Sequence, residues 1–335
     1  MLVSVVIPLH NKAPYFKECL DSVLAQTHRD LEVVVVDDAG TDGGAALAMN
    51  CGDARVRLVT LERNVGPGMA AQRGMDEAQG TYIVRMDADD VMHPARVERQ
   101  VAFLEELPEV DLCGTALDLI GRSDIVRRCP LTHADIVAQL LFGVGIFQPT
   151  MAVRRATLER SGLRYLPEWP WYGEDRLYQM VAVQRGLRLA ALPEVLLHYR
   201  EGPQNAVHRV DRMRTSSDLD STLLMALLDR TPEAGELALH AWASKRFDGP
   251  ITAPQVTAYR AWLDTLVDRG REAALLEVAA VKRRCDRAWD ELWHHLPFHD
   301  HATVKAYLAA GGMLTPARIY YGLRRWLSGP EKEGA

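Results

Sequence analysis

The sequence is short of cysteine, has no excess of basic charge and contains no long apolar run. Its five cysteines, Cys19, Cys51, Cys113, Cys129 and Cys285, are scattered, odd in number and free of any CxxC spacing. That excludes a disulfide scaffold and leaves small buried hydrophobes in a reducing compartment as the expectation. The formal net charge of -6 offers no concentrated basic face for duplex phosphates, so no nucleic-acid partner is expected. No segment approaches the roughly 18 uninterrupted apolar residues of a membrane span, and the opening "MLVSVVIPLHNK" has no basic leader ahead of its short apolar run. A cytoplasmic chain is the expectation. No G-x-x-x-x-G-K-[ST] occurs, which argues against a P-loop enzyme, and no constant-period repeat supports a solenoid.

What is present is an ordinary globular balance, 48% hydrophobic and 25% charged over 335 residues. That length suits one large domain or two. The runs "VSVVIPL" (3–9) and "LEVVVVDD" (31–38) lack alternation and read as strands buried on both faces. Between them, Phe16, Cys19, Leu20, Val23 and Leu24 recur at helical steps. Strand, helix, strand is a right-handed βαβ unit. The alternation continues with a helix at 42–50, a strand at 55–61, a helix after Pro67, a strand at 81–86, a helix from Pro94 to Leu107 and a strand at 111–119. Pro67 and Pro94 suit the first turns of their helices. The fold class is α/β with a mostly parallel, Rossmann-like sheet flanked by helices. Signals are mixed from 131 to 200, with helices near 134–141 and 174–186 and short strands near 188–199. Beyond Val210 helical periodicity dominates, so the division expected is 1–209 (halves at about 1–120 and 121–209) and an all-helical 210–335.

Parallel strands carry ligands at their carboxyl ends, and three such ends here bear polar groups: His10 and Asn11, then Asp37 and Asp38, then Asp87, Asp89 and Asp90 in "RMDADD". Crowded carboxylates repel and resist desolvation, so a compensating cation is called for. Mg2+ or Mn2+, which takes oxygen ligands and shares its shell with phosphates, fits that need. A lone DxD ahead of Pro94 would more simply cap a helix; the strand-end placement shifts the balance.

The stretches "VSVVIPLHN", "VVVVDDAGTDG", "NVGPGMAAQRGMDEAQGTYIVRMDADD" and "WYGEDRLYQMVAVQRG" together resemble the successive motifs of family 2 glycosyltransferases over roughly residues 1–200. The resemblance implies a GT-A fold and an inverting transfer of a sugar from a nucleoside diphosphate sugar, a UDP-sugar first, to a hydroxyl of a glycan or lipid-linked acceptor. It places Pro8, His10 and Asn11 at the nucleotide base, where many relatives have Tyr at position 10. Asp38 would accept a hydrogen bond from the base, Asp87 would meet the ribose hydroxyls, and Asp89 would ligate the metal. Relatives often have Arg where Ala71 sits, which leaves diphosphate charge to Arg63 or Arg73. Asp175 is placed as catalytic base beside Glu174, and His198 or His208 as a further metal or diphosphate contact. In "YLPEWPWYGED", Trp171 and Tyr172 could offer flat faces to an acceptor sugar, though aromatics also fill cores.

Such chemistry needs a Lewis acid on the leaving diphosphate and a carboxylate to take the acceptor proton. The residues leave rivals. Gly66, Gly68 and Ala71 fit the G-x-G-x-x-A of an NAD-dependent oxidoreductase, but "ERN" and a proline separate them from the strand. A non-catalytic sugar-nucleotide binder would keep Asp38 and Asp89 without needing Asp175. His294, His295, His299 and His301 read as loop histidines rather than zinc ligands. The last helix, 315–327, mixes apolar residues and arginines and either touches the inner face of a membrane or packs on protein. The helical region would recognise the acceptor or hold a homodimer together.

Overall fold

The computed structural model describes residues 1–202, 212–244, 246–247, 250–298 and 301–320. Its sheet grows from the two valine-rich runs. β1 (Val3–Leu9) and β2 (Leu31–Asp37) pair in parallel from Val3 opposite Leu31 to Leu9 opposite Asp37. β4 (Tyr82–Arg85) joins the other side of β1, also in parallel. A strand flanked this way must bury both faces. The odd residues of β1, including Val3, Val5 and Ile7, share a core with Phe16, Cys19, Leu20 and Val23 of α1 (Ala13–Leu24). On the opposite face α3 (Pro67–Glu77) comes so close that a Cβ at Gly74 would lie 2.4 Å from Val6 Cγ1. Glycine at 74 is therefore what lets helix meet strand here.

The remaining elements of this unit are α2 (Gly44–Met49), β3 (Val56–Thr60), β5 (Val91–Met92), α4 (Arg96–Glu106), β6 (Leu112–Leu119), β7 (Arg122–Arg127), α5 (His133–Leu140), β8 (Ala152–Arg154), α6 (Arg155–Ser161), α7 (Glu174–Gln184) and β9 (Leu189–Tyr199). The sheet order is β3-β2-β1-β4-β8-β6-β9-β5, with β7 paired to β6. β1, β2, β3, β4, β6 and β9 run one way, and β5, β7 and β8 the other. The sheet is α/β and mostly parallel in strand direction, as the sequence implies.

Several local readings change. Pro94 does not open α4, which starts at Arg96. Val91 and Met92 are drawn into the sheet opposite His198 and Leu197, and Pro94 turns the chain back with its carbonyl accepting the Thr27 N–H at 2.9 Å. β8 has no sequence signal because three residues carry no periodicity; it is a strand only because β4 and β6 flank it. The short strands expected near 188–199 are one strand, β9, whose pairing with β6 shifts register on either side of Ala116.

The chain divides into two compact units, Met1–Leu140 with Val144–Thr215, and Leu141–Gly143 with Ser216–Ala335. The second contains most of α8 (Arg212–Leu228), then α9 (Ala234–Trp242), α10 (Ala253–Gly270), α11 (Val278–Leu292) and α12 (His301–Ala309). A capping box, Thr252 with Gln255, starts α10. Its buried Tyr259 meets Trp289 of α11 at 6.3 Å between ring centres, and Trp289 stacks on Tyr307 of α12 at 4.7 Å. No helix among the described residues is long and apolar enough to cross a membrane.

Two glycine replacements separate close packing from helix propensity. Gly74→Ala gains helix propensity worth about 1 kcal/mol, but the clash with the stiff Val6 side chain costs about 1–3 kcal/mol, so thermal unfolding should shift down by a few degrees. At Gly235 in α9 a Cβ meets nothing within 4 Å, and Gly235→Ala should raise the midpoint slightly. Differential scanning calorimetry of both variants checks the pair.

Candidate active site

The strand ends of β1, β2 and β4 sit side by side, and the loops after them are braced to one another. Asn11, held at φ 52°, accepts the Thr41 N–H on its Oδ1 at 2.8 Å, and Asp42 Oδ2 accepts the Ala13 N–H at 2.7 Å. His10 Nδ1 lies 2.7 Å from the Asp38 carbonyl, while its Nε2 meets the Asn64 and Asn11 side-chain amides at 3.0 and 3.2 Å. A carbonyl at one nitrogen and amide donors at the other assign the ring proton to Nδ1. Asp38 is 2% exposed; its carboxylate accepts the Val65 N–H at 2.7 Å and the Gly66 N–H at 3.0 Å. Burial pushes its pKa up, and these two donors pull it back. Pro8 is half-buried in β1 opposite Val36.

The carboxylates after β4 each meet a cationic residue of the protein. Asp87 accepts from Arg85 Nη1 at 2.8 Å, and Asp89 Oδ2 lies 2.5 Å from Lys12 Nζ. Asp90 Oδ1 accepts the backbone N–H of Arg200 at 2.9 Å, while its buried Oδ2 has no partner among the described residues. The Arg200 guanidinium also bonds the Asp89 carbonyl at 2.8 Å and lies over the Tyr15 ring at 4.7 Å. Beneath them the buried Arg96 holds the Arg85 carbonyl at 2.8 Å, and burial lowers its pKa to about 10. Asp90 is pushed well above the usual carboxylate range by burial and by Asp87 and Asp89, and Asp89 is raised by burial against the pull of Lys12.

Glu174 and Asp175 open α7 after Gly173, which turns at φ 84°. Glu174 is 7% exposed; burial first, then the Asp175 charge, raises its pKa well above the usual range. Arg85 opposes that rise and Asp87 adds to it, so the charges of all three act on one another. Asp175, raised by burial, accepts the Arg176 N–H at 2.8 Å. Beside them Tyr165 stacks on Tyr178 at 4.3 Å and meets Trp169 edge-on at 6.1 Å. Trp171, half exposed, lies against Gly66, where a Cβ would come within 2.6 Å of its Nε1. Tyr172 is half-buried. Val65, Gly68, Met69, Tyr165, Trp171 and Glu174 line a small cleft here.

His198 lies opposite Val91 beside the acidic turn, and the expected arginines are exposed. Arg73 is engaged by Glu77 at 2.7 Å, next to Arg57 on the same carboxylate. Arg63 is exposed, and Ala71 is fully buried. His198 Nδ1 lies 2.7 Å from Asp118 Oδ1. His208, His299 and residues 321–327 of the last helix lie outside the described residues. Nothing in the sequence singles out Asn64, Lys12 or Arg200, and the one signal for Arg85 is its proximity to the acidic turn. The Gly66 N–H, which a dinucleotide fingerprint would aim at a pyrophosphate, is given to Asp38.

Among the described residues no group of three His, Cys, Asp or Glu side chains can hold a metal ion. Asp89, the acid that the family resemblance assigns to the metal, offers the hard oxygen chemistry that a Mg2+ or Mn2+ ion takes, and the neighbouring Asp90 Oδ2 is a buried oxygen with no partner among the described residues.

The family pattern of Glycosyl transferase family 2 matches residues 4–161. The chain is 32% identical over 238 residues to the succinoglycan biosynthesis protein ExoO of Rhizobium meliloti, a match covering 66% of this chain and 68% of that protein. Two further curated relatives are matched over 65% and 58% of their own length. Among solved structures, residues 1–349 of S. aureus TarS in complex with UDP-GlcNAc superpose with a TM-score of 0.57 at 17% identity, covering 94% of this chain and 93% of that one. The mannosyltransferase PcManGT from Pyrobaculum calidifontis, in complex with GDP-Man and Mn2+, gives 0.50 at 22% identity over 96% and 86%. At these identities the likeness is one of fold, and that fold is GT-A.

Two outcomes follow from the geometry. Gly66→Ala places a side chain against Trp171 at a positive φ of 88°; it should lower stability by about 1–3 kcal/mol and shift tryptophan emission, both measured by fluorescence-detected denaturation. Glu174 has a folded pKa above its unfolded value near 4.3, so the native state binds the proton more tightly and loses stability as pH rises through that window. Glu174→Gln should therefore match the wild-type melting temperature near pH 4 and exceed it by a few degrees at pH 8.

Proposed function

The chain belongs to glycosyl transferase family 2, and on that premise we propose that it transfers a sugar, with inversion, from a nucleoside diphosphate sugar to an acceptor hydroxyl. The observation that carries the reading is the meeting of residues far apart in sequence: Asp38 with the 64–66 loop, Asp87 and Asp89 after β4, and Glu174 and Asp175 at the start of α7. In this reading Pro8, His10, Asn11 and Asp38 border the base, Asp87 meets the ribose, and Asp89 faces the diphosphate. Arg73, exposed and paired with Glu77 on its own helix, is kept as the candidate cation for the diphosphate. The donor class follows the ligands of the structural neighbours, UDP-GlcNAc and GDP-Man with Mn2+, and a UDP-sugar is the first to test.

Asp175 is the proposed general base. Burial raises its pKa, which brings a carboxylate nearer to the operating pH and makes it a better proton acceptor than an exposed aspartate. Removing the acceptor proton as the new bond forms lets the hydroxyl attack from the face opposite the diphosphate. One displacement gives inversion, and no covalent sugar–enzyme species is needed. A divalent ion, when bound, would supply charge stabilisation to the leaving diphosphate. Trp171, Tyr172 and Glu174 border the acceptor, for which a glycan or lipid-linked sugar is the candidate class, in keeping with the succinoglycan biosynthesis named for one relative.

Single-turnover assays with a panel of sugar nucleotides and Mn2+, scored for released nucleoside diphosphate, should identify one productive donor. With that donor, Asp175→Asn should lower the transfer rate about 10²–10⁴-fold while donor affinity changes little. Transfer at the wild-type rate by Asp175→Asn would remove the base assignment, and donor binding without turnover under any condition would favour a non-catalytic binder.

A further inference from the structure

Asp89 carries a side chain only 6% exposed, and its Oδ2 is held at 2.5 Å by Lys12 Nζ, itself 17% exposed. A carboxylate this buried needs a cation, because removing one partner of a buried pair leaves an uncompensated charge. Two of the neighbouring cations are buried arginines. Arg96 is buried, with its guanidinium tied to Gln100, Met86 and the Arg85 carbonyl. Arg85 is buried as well, tied to the Met86 carbonyl and Asp87. Lys12 approaches from the loop between β1 and α1. Its backbone carbonyl already serves the helix start by accepting the Tyr15 and Phe16 N–H groups at 2.9 Å, so the helix does not depend on its side chain. An ammonium on a four-carbon stem is a compact point charge that can be re-aimed.

Resting on the reading of this rim as a nucleoside diphosphate sugar site, we propose that Lys12 occupies the cation position at Asp89 in the empty protein and exchanges partners when a divalent ion arrives with a diphosphate. Asp89 then turns to the ion and Lys12 to a diphosphate oxygen. A free divalent ion must compete with the ammonium for Asp89. A diphosphate offers that ammonium a new anionic partner, so ion and nucleotide strengthen each other's binding reciprocally. Lys12 is a donor-binding residue in this scheme.

The test is direct binding with the full chain. Mn2+ affinity is measured from the electron paramagnetic resonance signal of the free ion, and UDP and GDP affinity by calorimetry with and without Mn2+, for wild type, Lys12→Met and Lys12→Gln. Both variants should bind Mn2+ alone about 10-fold more tightly and lose about 10-fold of the mutual enhancement between Mn2+ and nucleotide, about 1.4 kcal/mol. Chelation of Mn2+ by the nucleotide in solution is common to all three proteins and cancels. Circular dichroism establishes that each variant is folded, and either folded variant decides. Unchanged or weaker Mn2+ affinity in a folded variant, with nucleotide binding intact, overturns the exchange. If wild type binds neither UDP nor GDP, with or without Mn2+, it is the underlying reading of the site that fails.

Discussion

The structure turns on the compensation of buried carboxylates at the ends of β1, β2 and β4. Asp38, Asp89, Asp90 and Glu174 are all nearly inaccessible to water, and a carboxylate in that position is tolerated only with donors or cations at hand. The chain supplies them from separate places: backbone N–H groups of Val65 and Gly66 for Asp38, Lys12 for Asp89, Arg85 for Asp87, the Arg200 N–H for Asp90. Each of these contacts also fixes a loop, so the electrostatics of the rim and its shape are one constraint. Apart from Asp90 Oδ2, which has no partner among the described residues, the acids of the turn have their partners before any divalent ion binds.

The parallel arrangement of β1, β2 and β4 makes such a rim possible. Parallel neighbours end at the same edge, and their loops leave it on the same side, so residues 10–12, 38–42 and 87–90 are brought together by register alone. Asn11 to Thr41 and Asp42 to Ala13 then lock the loops across the gap. The insertion of β8 between β4 and β6 allows the second half of the unit to continue the same sheet, and β9 returns Arg200 to the acidic turn. Tyr165 and Trp171 are placed by the segment leading into α7, with Trp171 against Gly66 and so one residue from Val65, both of which bond Asp38. The proposed base pocket and the proposed acceptor wall therefore share a two-residue loop.

The central strands, the helices around them, and the acids at strand ends were readable because each depends on local pattern: unbroken valine runs, three- and four-residue apolar steps, and carboxylates placed directly after them. The family motifs belong to the same class of signal, since their order and spacing are properties of the chain alone. What escaped was non-local. Lys12 and Arg200 bear no mark in the sequence of pairing with the acidic turn 77 and 110 residues away, and Arg73, attractive by position, is taken by Glu77 on its own helix. β8 and β5 are too short to show a period, and Pro94 reads as a helix start until the sheet claims the two residues before it.

The sequence by itself determined the α/β class, the order of the longer elements in its first half, the family and the carboxylates at the strand ends, since periodicity and spacing survive without long-range contacts. Only the tertiary structure decided which cation meets which acid, which donors orient Asp38, and that Trp171 and Gly66 share one contact, because pairing energies depend on distances that close only when the sheet has formed.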